Sequence, residues 1–354
     1  MKKFSKISVT VALMLIICLV FTGCGSFGQA VLSALSLEVE TEDPALIKVA
    51  DVLDKTIKYD EIKSGDFIYT LYMDDTACIT GYVGSESVLS IPSEIDGFPV
   101  IGLENKALIN SKTLKELILP DSLEVVGNYA AMYCDELEKV TFGKNIRQIG
   151  ISAFEGSQKN SYTGKSKLKT VVFNGAPKVI SEKAFYFCSS LTEIVLPQGV
   201  ETIGEWAFAK CFEAKKIIIP EGVKAIGDHA FLKCSKAEEV SLPGSLETIE
   251  TSMFYQCTKL KKLTLGEGIK VIGKGAFEEC EQLKTVVLPK SICEIDKYAF
   301  YNCKGLDEIT IHEGVTVFGG EIFKDIGELK IITESGSAAE EYAKNNGFSS
   351  EVIA

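Results

Sequence analysis

The sequence predicts a repeat solenoid of the α/β type. Its coils are 23 residues long, each with one short parallel strand and a helical, 3₁₀ or irregular segment on the convex side. Three observations carry that prediction. Cysteines stand at 134, 188, 211, 234, 257, 280 and 303, and from Cys188 onward every step is 23 residues. Apolar residues recur three, six and eight positions after each anchor, as in Leu191, Ile194 and Leu196, or Leu283, Val286 and Leu288. An Ala-Phe pair closes most units, among them Ala184-Phe185, Ala207-Phe208, Ala230-Phe231, Ala276-Phe277 and Ala299-Phe300. One such unit cannot bury its own apolar face, but a stack of them shares one continuous core.

The elements follow in chain order. Lys2, Lys3 and Lys6 precede a largely apolar run from Ile7 to Phe21. Its 15 residues fall short of the roughly 20 that a bilayer span needs, and suit the central region of an export signal. The run ends in Phe21-Thr22-Gly23-Cys24, which resembles the lipobox of bacterial lipoproteins, with Phe21 in place of the usual Leu. That resemblance implies removal of residues 1–23 and acylation of Cys24. Acyl chains contribute about 0.8 kcal/mol per buried methylene, so two or more hold a protein at a membrane. Losing three lysines takes the net charge from −12 to −12 − 3 = −15.

Residues 24–66 read as a membrane-proximal spacer with a short amphipathic helix over 44–58, started by Asp43-Pro44 and spaced by Leu46, Val49, Leu53 and Ile57. Residues 67–110 read as an N-terminal cap. It holds a hairpin, Phe67–Met73 and Ala77–Val83 around Asp74-Asp75, and a first irregular coil at Val88–Pro92. Residues 111–334 form the solenoid proper. Within each unit Pro often ends the strand (Pro197, Pro220, Pro243), and an Ile-Gly pair follows (Ile203-Gly204, Ile226-Gly227, Ile272-Gly273). Eight extra residues, Gln158–Lys165, predict a protruding loop that contains Tyr162. Residues 335–354 read as a C-terminal cap built on a helix over Ser337–Gly347.

The Leu-x-x-Leu-x-Leu spacing is that of leucine-rich repeats. With its Pro, Ile-Gly and Ala-Phe details it resembles the BspA-like, treponemal-type repeat family of bacterial surface proteins over roughly residues 67–348. The resemblance implies recognition or adhesion at a cell surface, with an extracellular or surface protein or glycan as partner. Local departures are Ser111 and Ser157 at the anchor, Ala131 for Phe, and Met253-Phe254 for Ala-Phe.

Composition narrows the function classes. The basic residues are 36 lysines and one arginine, Arg147, against 49 acidic residues, so no arginine-rich stripe awaits a nucleic acid. One cysteine per coil at one position predicts an inward column of small buried side chains whose parallel Cβ vectors disfavour disulfides. The sequence has two histidines, His229 and His312, at different repeat positions, and lacks metal-ligand, nucleophile-elbow and phosphate-loop motifs. These features predict a non-catalytic chain without cofactor or metal, anchored as a monomer. A structural envelope component and, more weakly, an envelope hydrolase are the alternative readings.

Two outward strand rows alternate in charge. Five positions after the anchor stand Glu116, Lys139, Thr170, Glu193, Lys216, Glu239 and Lys262, a self-neutralised face suited to cross-strand pairing. Four aromatics depart from their repeat rows or sit on the inserted loop, and are the candidate binding residues: Trp206, Phe212, Tyr298 and Tyr162.

Overall fold

The computed structural model of the chain describes residues 48–157 and 166–353. Cys24 and its leader, and the Gln158–Lys165 insertion with Tyr162, lie outside the described residues.

Each coil has three faces. The long-strand face carries the Leu-x-Leu strands, such as Lys216–Ile218, Glu239–Leu242 and Lys262–Leu265, paired in parallel register. Alternation sends Ile217, Val240 and Leu263 inward and leaves Lys216, Glu239 and Lys262 facing out. The short-strand face is made by the residues around the Ile-Gly pair, two-residue strands such as Thr202–Ile203 and Ala225–Ile226. The sequence shows the Ile-Gly pair but not this second ladder, because two residues are too few to alternate.

The third face is a run of turns, the irregular alternative among those predicted. In the coil of Trp206, Trp206, Phe208 and Lys210 donate their N–H groups to the next coil's Asp228, Ala230 and Leu232 carbonyls at 3.1, 2.8 and 2.7 Å. Ala207, Ala209 and Cys211 donate three residues back, to Gly204, Trp206 and Phe208. Every amide of the segment is thereby satisfied, half within the turn and half along the stack. The left-handed φ of 58° at Trp206 and 62° at Lys210, repeated at His229 and Lys233, turns alternate amides outward and prevents a helix. Such residues cost about 1–3 kcal/mol each and persist because the neighbouring coil fixes them.

The core is a column of rings. Phe154, Phe185, Phe208, Phe231, Phe254, Phe277, Phe300 and Phe323 stack at centroid distances of 5.1–5.8 Å. Interruptions in the two strand ladders are staggered. The long-strand ladder breaks between Thr170–Phe173 and Ile194–Val195, and again between Lys262–Leu265 and Thr285–Val287. The short-strand ladder breaks once, between Ala225–Ile226 and Thr248–Ile249. No junction among the described residues loses both.

At the N-terminal end the helix is four residues long, Val49–Val52, rather than an element reaching residue 58. Asp54 takes a left-handed φ of 53°, and the chain becomes a strand at Ile57–Ser64 that pairs antiparallel with Phe67–Tyr72. Val49 and Ala50 are buried while Ile57 and Tyr59 are exposed, so the apolar spacing there does not describe one helical face. Part of the region read as spacer is therefore an outer strand of the cap. Phe67–Tyr72 and Ala77–Tyr82 form the hairpin, and Ala77–Ile79 pairs in parallel with Val100–Leu103 of the first coil.

The C-terminal helix spans Ala338–Asn346. Ser337 caps it by accepting the Glu340 N–H at 3.1 Å, and Gly347 ends it at φ 75°. The chain then adds an unanticipated strand, Ser349–Ile353, parallel to Lys330–Glu334. Tyr342 stacks on Phe318 at 4.6 Å and closes the ring column at that end. Among the described residues no helix is long and apolar enough to cross a membrane.

Candidate binding surface

The turn face is where coils differ most from one another. In the rows two before, one before and one after the anchor, apolar residues over Lys183–Thr258 stand among polar ones such as Lys210, Lys233 and Gln256. Tyr186, Phe187, Ala209 and Leu232 form a satellite cluster with Trp206, Phe212 and Tyr255 packed against it. Two of the four candidates, Trp206 and Phe212, are thus brought together. Trp206 lies flat on His229 at 4.2 Å, meets Tyr186 edge-on at 6.1 Å, and donates its indole N–H to Glu205 at 2.6 Å. Phe212 meets Phe187 edge-on at 5.8 Å. Lys210 Nζ sits 5.0 Å from the Tyr186 and Phe187 ring centres and donates to the Tyr186 hydroxyl at 2.6 Å. Tyr186 and Phe187 are buried by their neighbours, whereas Trp206, Phe212 and Tyr255 remain half-buried.

His229 Nδ1 is buried without a hydrogen-bond partner, 3.9 Å from the Glu205 carboxylate and so outside bonding range. The stack on Trp206 therefore fixes that imidazole through its ring faces.

Tyr298 stands four repeats further on and does not join this ridge. It meets Tyr301 edge-on at 5.5 Å, under Lys297 Nζ at 4.4 Å from its centroid. The two tyrosines line a shallow groove of about 220 Å³ with Glu278, Glu321 and Lys324. Tyr301 donates to Asp325 at 2.7 Å, and burial, with Glu279 beside it, raises the Glu278 carboxyl above its ordinary value.

The interior supports this surface with a repeated polar contact. Cys211, Cys234, Cys257 and Cys280 each point their thiol at the carbonyl of the preceding coil's phenylalanine, at 3.4–3.5 Å. The anchor is thus a small apolar residue with one donor for a buried carbonyl. Burial pushes these thiols up, to about 12 at Cys234 and Cys303 and about 11 at Cys134. All nine described cysteines are free, and Cys293 alone among them is exposed. Between coils, charges pair one repeat apart, as in Lys139–Glu116 at 2.7 Å, Lys262–Glu239 at 2.6 Å and Lys304–Glu281 at 3.1 Å. Among the described residues no three His, Cys, Asp or Glu side chains are grouped to hold a metal.

A sequence profile of the BspA type leucine rich repeat region matches six copies across residues 98–170, 158–280 and 248–350. The chain belongs to the BspA type leucine-rich repeat family. No curated protein matches it in sequence. Among solved structures it is similar to a T. pallidum leucine rich repeat protein at 27% identity, over 63% of this chain and 91% of that one, with a TM-score of 0.46. A leucine rich cell surface protein from Faecalibacterium prausnitzii is 21% identical over 84% and 99% of the two chains, with a TM-score of 0.39. The pneumococcal vaccine antigen PcpA is 16% identical over 85% and 99%, with a TM-score of 0.38.

Within this BspA type solenoid, sequence reasoning missed Tyr186, Phe187, Leu232 and Tyr255. The signal was present in the two rows before the anchor, where Tyr186 and Phe187 hold the repeat positions that Glu278 and Glu279 hold in a later coil. The residues that flank the insertion bond to the coil of Tyr186. Gly156 donates to the Tyr186 carbonyl at 3.0 Å, and the Ser166 carbonyl accepts from the Ser189 and Ser190 hydroxyls at 3.3 and 2.7 Å.

Proposed function

We propose that this leucine-rich repeat chain is exported, tethered to the membrane through Cys24, and acts at the cell surface as a non-catalytic scaffold. The scaffold recognises an extracellular or surface protein or glycan as a single chain. The ridge of Trp206, Phe212 and Tyr255 over Tyr186, Phe187 and Leu232 is its contact surface.

One observation carries this reading. Where a later coil has Glu278, Glu279 and Glu281, adjacent coils here carry aromatic and aliphatic side chains that join into one contiguous cluster on a fixed backbone. Partly exposed aromatics on a rigid support lose little side-chain freedom on docking, and Trp and Tyr dominate contact hot spots. Tyr162, which lies outside the described residues, is kept as a candidate contact residue on its sequence alone.

The test exposes the intact chain to extracellular matrix, mucin and cell-wall fractions and measures capture. Binding that Trp206→Ser with Phe212→Ser removes supports the scaffold reading. No capture from any fraction favours the structural envelope role, and turnover of a wall polymer favours the hydrolase. Tethering is checked separately: Cys24→Ser releases the protein from the membrane fraction and abolishes its acyl mass.

A further inference from the structure

The short-strand face is closed at every coil junction but one among the described residues. Lys224 N donates to Glu201 O at 2.9 Å and Gly227 N to Ile203 O at 2.8 Å. One coil past the gap, Lys270 N donates to Glu247 O at 2.7 Å and Gly273 N to Ile249 O at 2.8 Å. Between these, Ala225–Ile226 and Thr248–Ile249 do not pair, and the matching bonds from Glu247 N and Glu250 N are not made. A surface groove of about 350 Å³ opens there, lined by Lys224, Ala225, Ser245, Leu246, Glu247, Thr248 and Glu250. The other two faces continue across the junction. Lys216–Ile218 pairs with Glu239–Leu242, and His229, Phe231 and Lys233 donate to Thr251, Met253 and Tyr255.

The repeat position at fault is identifiable. Gly127, Gly150, Gly204, Gly227, Gly273 and Gly319 occupy it elsewhere. A Cβ on Gly204 would lie 2.4 Å from Glu182 N, and one on Gly227 2.5 Å from Glu205 N, so a closed ladder favours glycine. Four coils lack it, and one of them carries Glu104, whose N–H still donates to Ile79 O at 2.8 Å while its carboxylate accepts the Val49 and Asn105 amides at 3.1 and 2.8 Å. Ser181 and Asp296 keep the ladder shut, with N–H···O distances of 2.9 and 2.8 Å. Ser181 has a short side chain, and the Asp296 carboxylate turns back to accept its neighbour Lys297 N at 2.6 Å. Glu250, half-buried, has no amide to hold its carboxylate as Glu104 and Asp296 do, and Asp228, which accepts Thr251 N across the junction at 3.1 Å, stands beside it as a like charge. The Glu250 carboxylate makes no hydrogen bond or ion pair with any described residue. Lys224 is engaged with Glu201, and Glu247 with Lys270.

We infer that Glu250 is a wedge that makes the junction between Ala225–Ile226 and Thr248–Ile249 a hinge, at which the coils on either side fan apart along the short-strand face. The turn face and the Phe208–Phe231–Phe254 column act as its spine. The ridge spans this junction, with Trp206 and Phe212 on one side and Tyr255 on the other. Opening and closing the wedge tilts the two halves of the ridge against one another about that spine.

The experiment is amide hydrogen exchange on the intact chain. The Glu247 and Glu250 amides should exchange at least 100-fold faster than Lys270 and Gly273, their equivalents one coil on. Glu250→Gly should slow them to the rate of those equivalents, and Asp228→Asn should slow them part of the way. Spin labels at Lys178→Cys and Lys290→Cys, in a Cys293→Ser background, should give a distance distribution that narrows in Glu250→Gly. Equal protection of all four amides in the unaltered chain would overturn the hinge. Fast exchange that persists in a folded Glu250→Gly variant would overturn the role of Glu250. These readouts need no partner, so they stand or fall apart from the binding role of the ridge.

Discussion

Two stretches of the turn face share one backbone and differ in the balance of aromatic and charged side chains they turn outward. Over Lys183–Thr258 the surface is a ridge of Tyr186, Phe187, Trp206, Phe212 and Tyr255, cross-packed edge to face. Over Gly275–Asp325 the same rows hold Glu278, Glu279, Glu281, Lys304 and Lys324, tied in pairs such as Lys304–Glu281, with Tyr298 and Tyr301 among them as a separate aromatic pair. Beneath both run the same ring column, the same thiol-to-carbonyl contacts and the same left-handed turn residues. The solenoid therefore separates two tasks. Inward rows hold coil on coil, and outward rows are free to vary, which is where specificity can be written.

If that separation holds, an inward change should outweigh any outward one. Phe231→Ala removes a ring stacked on both sides and should cost about 3–5 kcal/mol in urea unfolding. Gly204→Ala should follow, at about 1–3 kcal/mol, because its Cβ meets backbone rather than a yielding side chain. Outward pairs sit at the other end of the scale. Lys304→Ala with Glu281→Ala should change stability by less than about 1 kcal/mol, since both groups are well exposed.

Thiol chemistry sharpens the same contrast without altering the fold. Below pH 9, a thiol reagent should modify only Cys293 among the described cysteines of the native chain. The anchor thiols stay protonated until far higher pH because burial disfavours the thiolate. The sign for stability follows. A thiol whose folded pKa is raised favours folding below its unfolded pKa, and that advantage is lost as pH rises toward about 12. Urea titration from pH 8 to pH 11 should therefore show stability falling. A column that labels as fast as Cys293 at pH 8 would contradict the packing described.

What could be read in the sequence follows the same division. The anchor cysteines, the Leu-x-Leu strands and the Phe column were legible because they repeat, and repetition raises a weak local signal. The short-strand ladder was not, since Thr202–Ile203 or Ala225–Ile226 has no period to detect. Ile57–Ser64 was hidden by helical spacing that the fold does not use, and Ser349–Ile353 by its polar start. At the ridge, Trp206 and Phe212 were visible as departures from their rows. Tyr186 and Phe187 were overlooked because their rows vary from coil to coil, and such variation is easily read as a solvated surface.

The most direct measurement compares capture by three forms of the intact chain: unaltered, Trp206→Ser with Phe212→Ser, and Tyr298→Ser with Tyr301→Ser. The thermal unfolding midpoint of each is recorded alongside. The account predicts that all three fold, that the ridge variant loses its partner, and that the Tyr298/Tyr301 variant keeps it. A folded ridge variant that binds as well as the unaltered chain, or a Tyr298/Tyr301 variant that loses binding, would contradict it.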